Sequence, residues 1–195
     1  NAITSIYKNE GNEKVTAIDA NSLGLSMGNV RWGDYDNDGD LDLLATGQTN
    51  NSLTPLKIYR NDGNDIFTDN NAGLLNSGIP GWAGWADYDN DGDMDIIAYC
   101  ADYSGSAKLK RYKNEGNDIF ILDFELLIPD YWQHARFSTG DYDNDGDIDF
   151  VIQHTYDNYC KIFRNNSNYS NSGPSVPKGL ATFRNGTRMY MIWNT

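Results

Sequence analysis

Apolar and polar residues alternate along most of the chain in short runs, and clusters of Asp, Asn and Gly separate the runs. Before each acidic cluster the pattern repeats with a period of two, as one face of a β-strand does. The alternating pairs are Val30 and Trp32, Ala83 and Trp85, and Phe137 and Thr139. After each cluster comes an apolar run that is too short for a helix, at residues 41–47, 94–100 and 148–154. The pattern predicts an all-β fold in which each acidic cluster joins two strands.

The acidic clusters are three copies of one nine-residue sequence, at residues 34–42, 87–95 and 141–149. Each copy has aspartate at positions 1, 3, 5, 7 and 9 and glycine at position 6. Carboxylates at this density repel one another unless a cation lies among them. The fifteen candidate metal-binding residues are Asp34, Asp36, Asp38, Asp40, Asp42, Asp87, Asp89, Asp91, Asp93, Asp95, Asp141, Asp143, Asp145, Asp147 and Asp149.

Calcium is the cation that this spacing favours, because it is a hard ion that takes six to eight oxygen ligands in flexible geometry. We predict three calcium sites, each with side-chain oxygens from positions 1, 3, 5 and 9, and with position 9 bidentate. Glycine at position 6 allows the sharp turn that wraps the chain around the ion. Position 7 is expected to give its main-chain carbonyl and to point its own carboxylate outward, at Asp40, Asp93 and Asp147.

The first half of each loop is similar to the calcium loop of an EF-hand, which also requires glutamate at position 12 and a helix on either side. Position 12 is occupied here by Ala45, Ala98 and Ile152. The flanking runs are also too short for helices. The sequence therefore predicts calcium loops between strands and argues against EF-hands.

A second repeated element opens the chain and follows each loop. It joins an apolar strand to an acid-glycine pair, which is typical of a hairpin turn. Its copies lie at residues 6–12, 58–64, 111–117 and, more loosely, 162–168. One unit is therefore a strand, an acidic loop, a strand, a longer loop, a strand, a tight hairpin turn and a fourth strand, with the four strands antiparallel. The acidic loops recur after 53 and 54 residues, which is the length of the unit. Four strands in about fifty residues is the size of a β-propeller blade.

The repeat spacing divides most of the chain into blades. Residues 1–18 correspond to the end of a preceding blade, a leading hairpin. Three calcium-loop blades are then predicted over residues 28–69, 81–124 and 134–168. In the third blade Ser167 replaces the hairpin glycine, so this blade is expected to lack its outermost strand or to borrow one.

The end of the chain differs in composition from the blades. Residues 169–177 are rich in Asn, Ser, Gly and Pro, as linkers are. Residues 178–195 resemble the start of a fibronectin type III domain, with a turn at Asn185 and Gly186 and a strand that contains Trp193. We therefore expect the chain to be part of a longer, modular polypeptide.

The chain is strongly acidic, with a formal net charge of −13, and fifteen of its 28 acidic residues lie in the three loops. An acidic surface argues against nucleic acid or an anionic membrane as a partner. The sequence also contains no apolar run of about 20 residues that would insert into a membrane. Since cytosolic calcium would leave weak sites empty, we expect a secreted, extracellular or cell-surface protein.

Cysteine and histidine offer little chemistry in this sequence. Cys100 and Cys160 lie in neighbouring repeats and match no zinc spacing, so a disulfide and two free thiols both remain open. His134 and His154 stand in no nucleophile motif. Loop carboxylates that are saturated by metal are poor acids and bases. The sequence predicts no catalytic residues.

The run from Trp32 to Leu44, followed by residues 58–61, resembles the FG-GAP or VCBS repeat, which also builds the calcium-bearing blades of the integrin α-subunit propeller. The resemblance covers residues 1–168. It implies a β-propeller, commonly of seven blades, with each calcium loop between the first two strands of a blade. Such repeats running into a fibronectin-like domain also resemble secreted bacterial surface proteins, including type 9 secretion cargo of Bacteroidetes.

These observations favour a non-catalytic, calcium-stabilised module for adhesion or display, with a protein or glycan ligand on a surface. One alternative is a carbohydrate-binding propeller, in which Trp82 and Trp132 would stack on sugar rings. Another is an accessory region of a secreted polysaccharide-degrading enzyme. Trp32 and Trp85 share the position two residues before a loop, where we expect them to pack between blades.

Overall fold

The computed structural model describes nine stretches of the chain, namely residues 5–18, 25–48, 55–74, 79–101, 107–128, 136–153, 160–165, 180–185 and 188–193. No helix occurs in these stretches, and so they contain none that could cross a membrane. Several sequence-based predictions lie outside the described residues. These are Trp132, His134, His154 and the linker at residues 169–177.

Fifteen strands make up the described part of the chain. They are β1 (Ile6–Gly11), β2 (Lys14–Ile18), β3 (Ser26–Gly33), β4 (Asp42–Gln48), β5 (Leu56–Asn61), β6 (Phe67–Asp69), β7 (Ile79–Ala86), β8 (Asp95–Ala101), β9 (Ala107–Asn114), β10 (Phe120–Ile128), β11 (Arg136–Gly140), β12 (Asp149–Gln153), β13 (Cys160–Phe163), β14 (Leu180–Asn185) and β15 (Arg188–Trp193). Strands β3 to β6 and β7 to β10 form two four-stranded sheets in sequential order. The prediction of an all-β fold with four-stranded antiparallel sheets is confirmed.

The described residues fall into two compact units. The first lies within residues 1–85 and 93–131 and holds the leading β1–β2 hairpin and both four-stranded sheets, apart from Ala86 at the end of β7. The second lies within residues 86–92 and 132–195 and holds a three-stranded sheet, β11–β12–β13, and the β14–β15 hairpin. Each of the three acidic loops joins the first two strands of its own sheet, as predicted.

Strand β4 is buried on both faces, which explains why its sequence is a continuous apolar run and not an alternating one. On one face Leu44 joins a cluster that includes Ile96 of β8. On the other face Leu43 and Ala45 join a cluster that includes Ile6 of β1. Within the first unit, the β3–β6 sheet therefore lies between the leading hairpin and the β7–β10 sheet.

The acid-glycine elements form hairpin turns, as predicted. Between β5 and β6 the amide of Ile66 donates to the carbonyl of Gly63 at 3.0 Å. The two residues between them, Asn64 and Asp65, have positive φ values of 53° and 64°. This is the geometry of a type I′ turn, whose twist matches that of the paired strands. The turn between β9 and β10 has the same hydrogen bond at the same 3.0 Å.

Ion pairs recur between successive repeats of the first unit. Lys8 Nζ lies 3.0 Å from Asp65 Oδ1, and one repeat later Arg60 Nη1 lies 3.1 Å from Asp118 Oδ2. The two cations share one repeat position, and the two carboxylates share another. Exposed and partly exposed ion pairs of this kind contribute little to stability, because water and salt screen them. Their recurrence shows that neighbouring repeats of this unit meet in the same way.

Trp32 and Trp85 share a repeat position but not an environment. Trp85 is 9% exposed and belongs to the core between the two four-stranded sheets, where it contacts Tyr35 of the first loop. Trp32 is 48% exposed and contacts Phe67 of its own sheet, with ring centroids 6.0 Å apart. The prediction that both pack between blades is confirmed for Trp85 and wrong for Trp32. The reason is that the described part of the chain places no loop tyrosine against Trp32.

The second unit is built on a smaller scale. Phe150 of β12 stacks on Phe163 of β13, with ring centroids 4.6 Å apart. Its sheet has three strands within the described residues, so the fate of a fourth stays a prediction. The predicted strand that contains Trp193 is confirmed as β15, which pairs with β14. The resemblance of this hairpin to a fibronectin type III domain, and a total of seven blades, also stay predictions.

Candidate metal centres

Each acidic loop brings three carboxylates together. Within each cluster, one oxygen atom from every residue lies within 4.8 Å of the others, a separation that a single cation can bridge. The clusters are Asp34, Asp36 and Asp42; Asp87, Asp89 and Asp91; and Asp141, Asp143 and Asp149. They contain positions 1, 3 and 9 of the first and third loops and positions 1, 3 and 5 of the second. All nine residues are among the predicted ligands, and their coordination of an ion stays a prediction.

The first aspartate of each loop holds the turn in place. Asp34 accepts hydrogen bonds from the amides of Asp38 and Gly39, both at 3.1 Å. The turn needs positive φ at Asn37, 59°, and at Gly39, 94°. Glycine adopts this conformation without a steric penalty, and asparagine tolerates it better than most residues do. In the third loop Asp141 accepts the same two bonds, at 3.2 and 3.1 Å.

The ninth residue of each loop is a buried anchor. Asp42 accepts one backbone hydrogen bond on each carboxylate oxygen, from Tyr35 at 3.1 Å and from Asn61 at 2.8 Å. Asp149 accepts the equivalent pair at 3.1 and 2.8 Å, and Asp95 accepts the second of these bonds at 2.8 Å. Each carboxylate oxygen has two lone pairs, so one remains for an ion. Position 9 thus joins the loop to the hairpin that follows it.

Burial makes these carboxylates electrostatically costly in the absence of a cation. Burial raises the pKa of Asp42 to about 6. Burial, with repulsion from a neighbouring carboxylate as a smaller cause, also raises the pKa of Asp36 and of Asp143. The pKa of Asp149 rises chiefly because of its burial. A bound cation would reverse each of these shifts, because it favours the ionised form.

Two buried carboxylate oxygens show that the loops fit a cation. Oδ1 of Asp87 and Oδ1 of Asp143 are buried and accept no hydrogen bond from any described residue. A buried charged oxygen without a donor is unfavourable, and a cation would satisfy it. The donors in the three clusters are all carboxylate oxygens, which suit a hard divalent ion such as calcium.

Comparison with known protein families gives one match, over part of the chain. Residues 34–98 match the family model of the FG-GAP-like repeat. The match spans the first two acidic loops and the strands from β4 to the first half of β8. No curated protein matches the chain. The four-stranded antiparallel sheets are consistent with blades of an FG-GAP propeller, and FG-GAP-like repeats are typically non-catalytic structural domains. The resemblances to VCBS repeats and to type 9 secretion cargo stay predictions.

In the third acidic loop an arginine lies against the carboxylates. Arg164 Nε lies 2.6 Å from Asp143 Oδ2, and Arg164 Nη2 lies 2.7 Å from Asp145 Oδ2. The hydrogen bond from Arg164 lowers the pKa of Asp145. Arg60, at the same repeat position, pairs instead with Asp62 and with Asp118 of the next repeat. Position 5 of the third loop is therefore turned toward a cation of the protein itself.

The aspartate at position 7 of one loop accepts a hydrogen bond from the asparagine at position 4 of the loop before it. Asn37 Nδ2 donates to Asp93 Oδ1 at 2.8 Å, and Asn90 Nδ2 donates to Asp147 Oδ1 at 2.9 Å. Carboxylates at position 7 were expected to point outward. That orientation stays a prediction. Asp40 is exposed, whereas Asp147 is buried and accepts the amide of Asn90.

A second link between repeats comes from an asparagine at the end of the third strand of a repeat or just beyond it. Asn114 Nδ2 donates to the carbonyl of Tyr35 at 2.9 Å, and Asn165 Nδ2 donates to the carbonyl of Tyr88 at 3.0 Å. The sequence-based prediction missed both kinds of asparagine. A signal was present, since asparagine occupies each of these two positions in all three repeats.

The remaining candidates lie outside the loops. Trp82 is half-buried and has the guanidinium carbon of Arg31 5.6 Å from its ring centroid, so one face of the ring is occupied by a cation. Sugar binding at this residue stays a prediction. Cys100 lies in the first unit and Cys160 in the second, and both are free thiols in this structure, while a disulfide between them stays a prediction. Burial raises the pKa of the Cys100 thiol to about 11.

Proposed function

We propose that this chain is a non-catalytic, calcium-stabilised β-propeller module that serves adhesion or display outside the cell. The observation that carries the proposal is the three-carboxylate cluster in each acidic loop, with a buried, donor-free oxygen at Asp87 and at Asp143. The match to the FG-GAP-like repeat supports a propeller-type module without catalytic residues.

The expected energy of calcium binding supports a structural role for the ion. A site stabilises the folded state by about 2.7 kcal/mol when calcium is a hundredfold above its dissociation constant. Since whole domains are stable by about 5–15 kcal/mol, three such sites would supply a large share of the stability of this one. Millimolar calcium outside cells is sufficient to fill weak sites of this kind. An extracellular or cell-surface location follows from this argument.

The proposed partner is a protein or glycan on a surface, bound by a module of a longer polypeptide. A net charge of −13 disfavours nucleic acids and anionic membranes. The partner can be sought by passing the calcium-loaded chain over arrays of glycans and of extracellular proteins, with EGTA as the control. A ligand retained only in calcium would support the proposal, and hydrolysis of an arrayed glycan would contradict the non-catalytic part of it.

Calcium binding is tested by isothermal titration calorimetry and by thermal unfolding of the same preparation. We expect three ions per chain and a melting temperature that falls sharply in excess EGTA, with magnesium restoring little of it because magnesium dehydrates reluctantly. The variant Asp36→Asn should lose one ion, whereas Asp40→Asn, at an exposed position outside the cluster, should bind three. A melt that EGTA leaves unchanged would show that calcium has no structural role.

A further inference from the structure

We propose that the three loops bind calcium cooperatively, because hydrogen bonds join the ligand residues of one loop to those of the next. This inference rests on the proposed calcium function. It concerns two separate links, one through the buried anchor residues and one between the fourth and seventh loop positions, and the asparagine hydrogen bond of each link is seen twice along the chain.

The buried link connects the anchor residues of the first two loops. Asp95 accepts the amide of Asn114 at 2.8 Å, and the side chain of Asn114 donates to the Tyr35 carbonyl at 2.9 Å. The amide of Tyr35 in turn donates to Asp42 at 3.1 Å. All four residues are at most 2% exposed. Hydrogen bonds are electrostatically stronger in such surroundings than in water, so a shift of one anchor is felt at the other.

The second link connects position 4 of one loop to position 7 of the next. Asn37 reaches Asp93, and Asn90 reaches Asp147, at nearly equal distances of 2.8 and 2.9 Å. In the proposed sites position 7 supplies its main-chain oxygen to the ion. Its side chain is thus held by the preceding loop while its backbone holds calcium. The donor asparagine presents its amide only when its own loop has the observed turn, with φ near 58–59° at Asn37 and Asn90.

Coupling follows from what each loop does when its ion is absent. Repulsion among carboxylates favours an open loop, and an open loop no longer presents its asparagine amide or its tyrosine carbonyl to its neighbour. Calcium in one loop therefore stabilises the ion-binding shape of the next, and the effect is reciprocal by linkage. Couplings of this type change affinity by about 5–150-fold.

The chain provides a matched control in Asn144. It holds position 4 of the third loop with the same left-handed backbone, φ 58°, and the sequence contains no fourth copy of the loop for it to reach. Replacing each position-4 asparagine by glycine removes the amide without backbone strain, because glycine adopts positive φ freely. None of these asparagines is a predicted calcium ligand.

The test is a calcium titration of the full chain by calorimetry, with hydrogen exchange of the loop amides measured at each calcium concentration. The wild-type chain is expected to bind with a Hill coefficient above one. Asn37→Gly and Asn90→Gly should bring that coefficient toward one and weaken binding of the later ions by at least about fivefold. Asn144→Gly should behave as the wild type.

A second variant keeps the inference testable if the glycine variants fold poorly. Asp36→Asn disables the first site alone, and cooperativity predicts that the other two sites then bind calcium about fivefold or more weakly than in the wild type.

Three ions bound to the wild type at independent sites would overturn the coupling and leave the proposed function intact. No calcium bound by the wild type would overturn the proposed function itself. Glycine variants that are as cooperative as the wild type would refute the asparagine link.

Discussion

Tyr35 lies parallel to Trp85, with ring centroids 5.8 Å apart and ring planes inclined by only 5°. Tyr35 is the second residue of the first acidic loop, and Trp85 precedes the second loop by two residues. Phe120 lies against both rings, at centroid distances of 5.8 and 6.3 Å. The first acidic loop, a proposed metal site, thus contributes a side chain to the core. The ordering of this loop is therefore coupled to the packing of the two sheets of the first unit.

The two tryptophans at the same repeat position should differ in their contribution to stability. Trp85→Ala removes a buried ring from the core and is expected to cost about 3–5 kcal/mol. Trp32→Ala removes a half-exposed ring and should cost less than about 1 kcal/mol. Urea unfolding in excess calcium measures both values. Equal losses would show that Trp32 is as well packed as Trp85.

Gly33, just before the first acidic loop, should be required for stability, whereas Gly140, just before the third, should be replaceable. A Cβ atom added at Gly33 would lie 2.4 Å from Cδ1 of Trp85, whereas one added at Gly140 meets nothing within 4 Å. We expect Gly33→Ala to cost about 1–3 kcal/mol through overpacking. Gly140→Ala should stay within about 0.5 kcal/mol of the wild type. Thermal unfolding, with near-ultraviolet circular dichroism to follow Trp85, measures the difference. A neutral Gly33→Ala variant would mean that the indole can move aside.

The anchor aspartate should stabilise the fold even without calcium. Asp42→Ala leaves the buried amide of Tyr35 without an acceptor, at a cost of about 1–3 kcal/mol, and the half-buried amide of Asn61 without one at a smaller cost. Removal of the buried charge offsets part of this loss. Asp40→Ala changes an exposed side chain and should cost no more than about 0.5 kcal/mol. Both variants are compared with the wild type in EGTA by urea unfolding, so that loss of an ion does not contribute. If Asp42→Ala matched Asp40→Ala there, the two backbone hydrogen bonds would have no net value.

Cys100 should react slowly in the folded chain. Burial raises the pKa of its thiol to about 11, above the ordinary value for cysteine, so less of the reactive thiolate is present at any given pH. At pH 8 we expect alkylation of Cys100 by iodoacetamide to be about a hundredfold slower than in the urea-unfolded chain. The rate should rise about tenfold per pH unit up to the pKa. Mass spectrometry of a Cys160→Ser variant isolates this thiol, and equal rates in folded and unfolded chains would contradict the expected burial effect.

Much of the local structure could be predicted from the sequence, because each part depends on residues close to one another. The nine-residue loops, the strands that flank them and the hairpin turns all follow from local spacing, from glycine and from alternation. The clustering of Asp34 and Asp36 follows in the same way, since both lie in one tight turn with Gly39. What the spacing could not give was the inward turn of Arg164 onto the third loop, because that depends on where β13 lies.

The sequence by itself therefore determined the repeat, the antiparallel sheets and the acidic loops between their first two strands, since these are encoded in backbone preferences over a few residues. Only the tertiary structure decided that Trp85 is buried while Trp32 is exposed, and that Asn37 and Asn114 tie one loop to the next. The physical reason is that burial and long-range hydrogen bonds depend on what packs against a residue. Identical local sequences do not have identical neighbours.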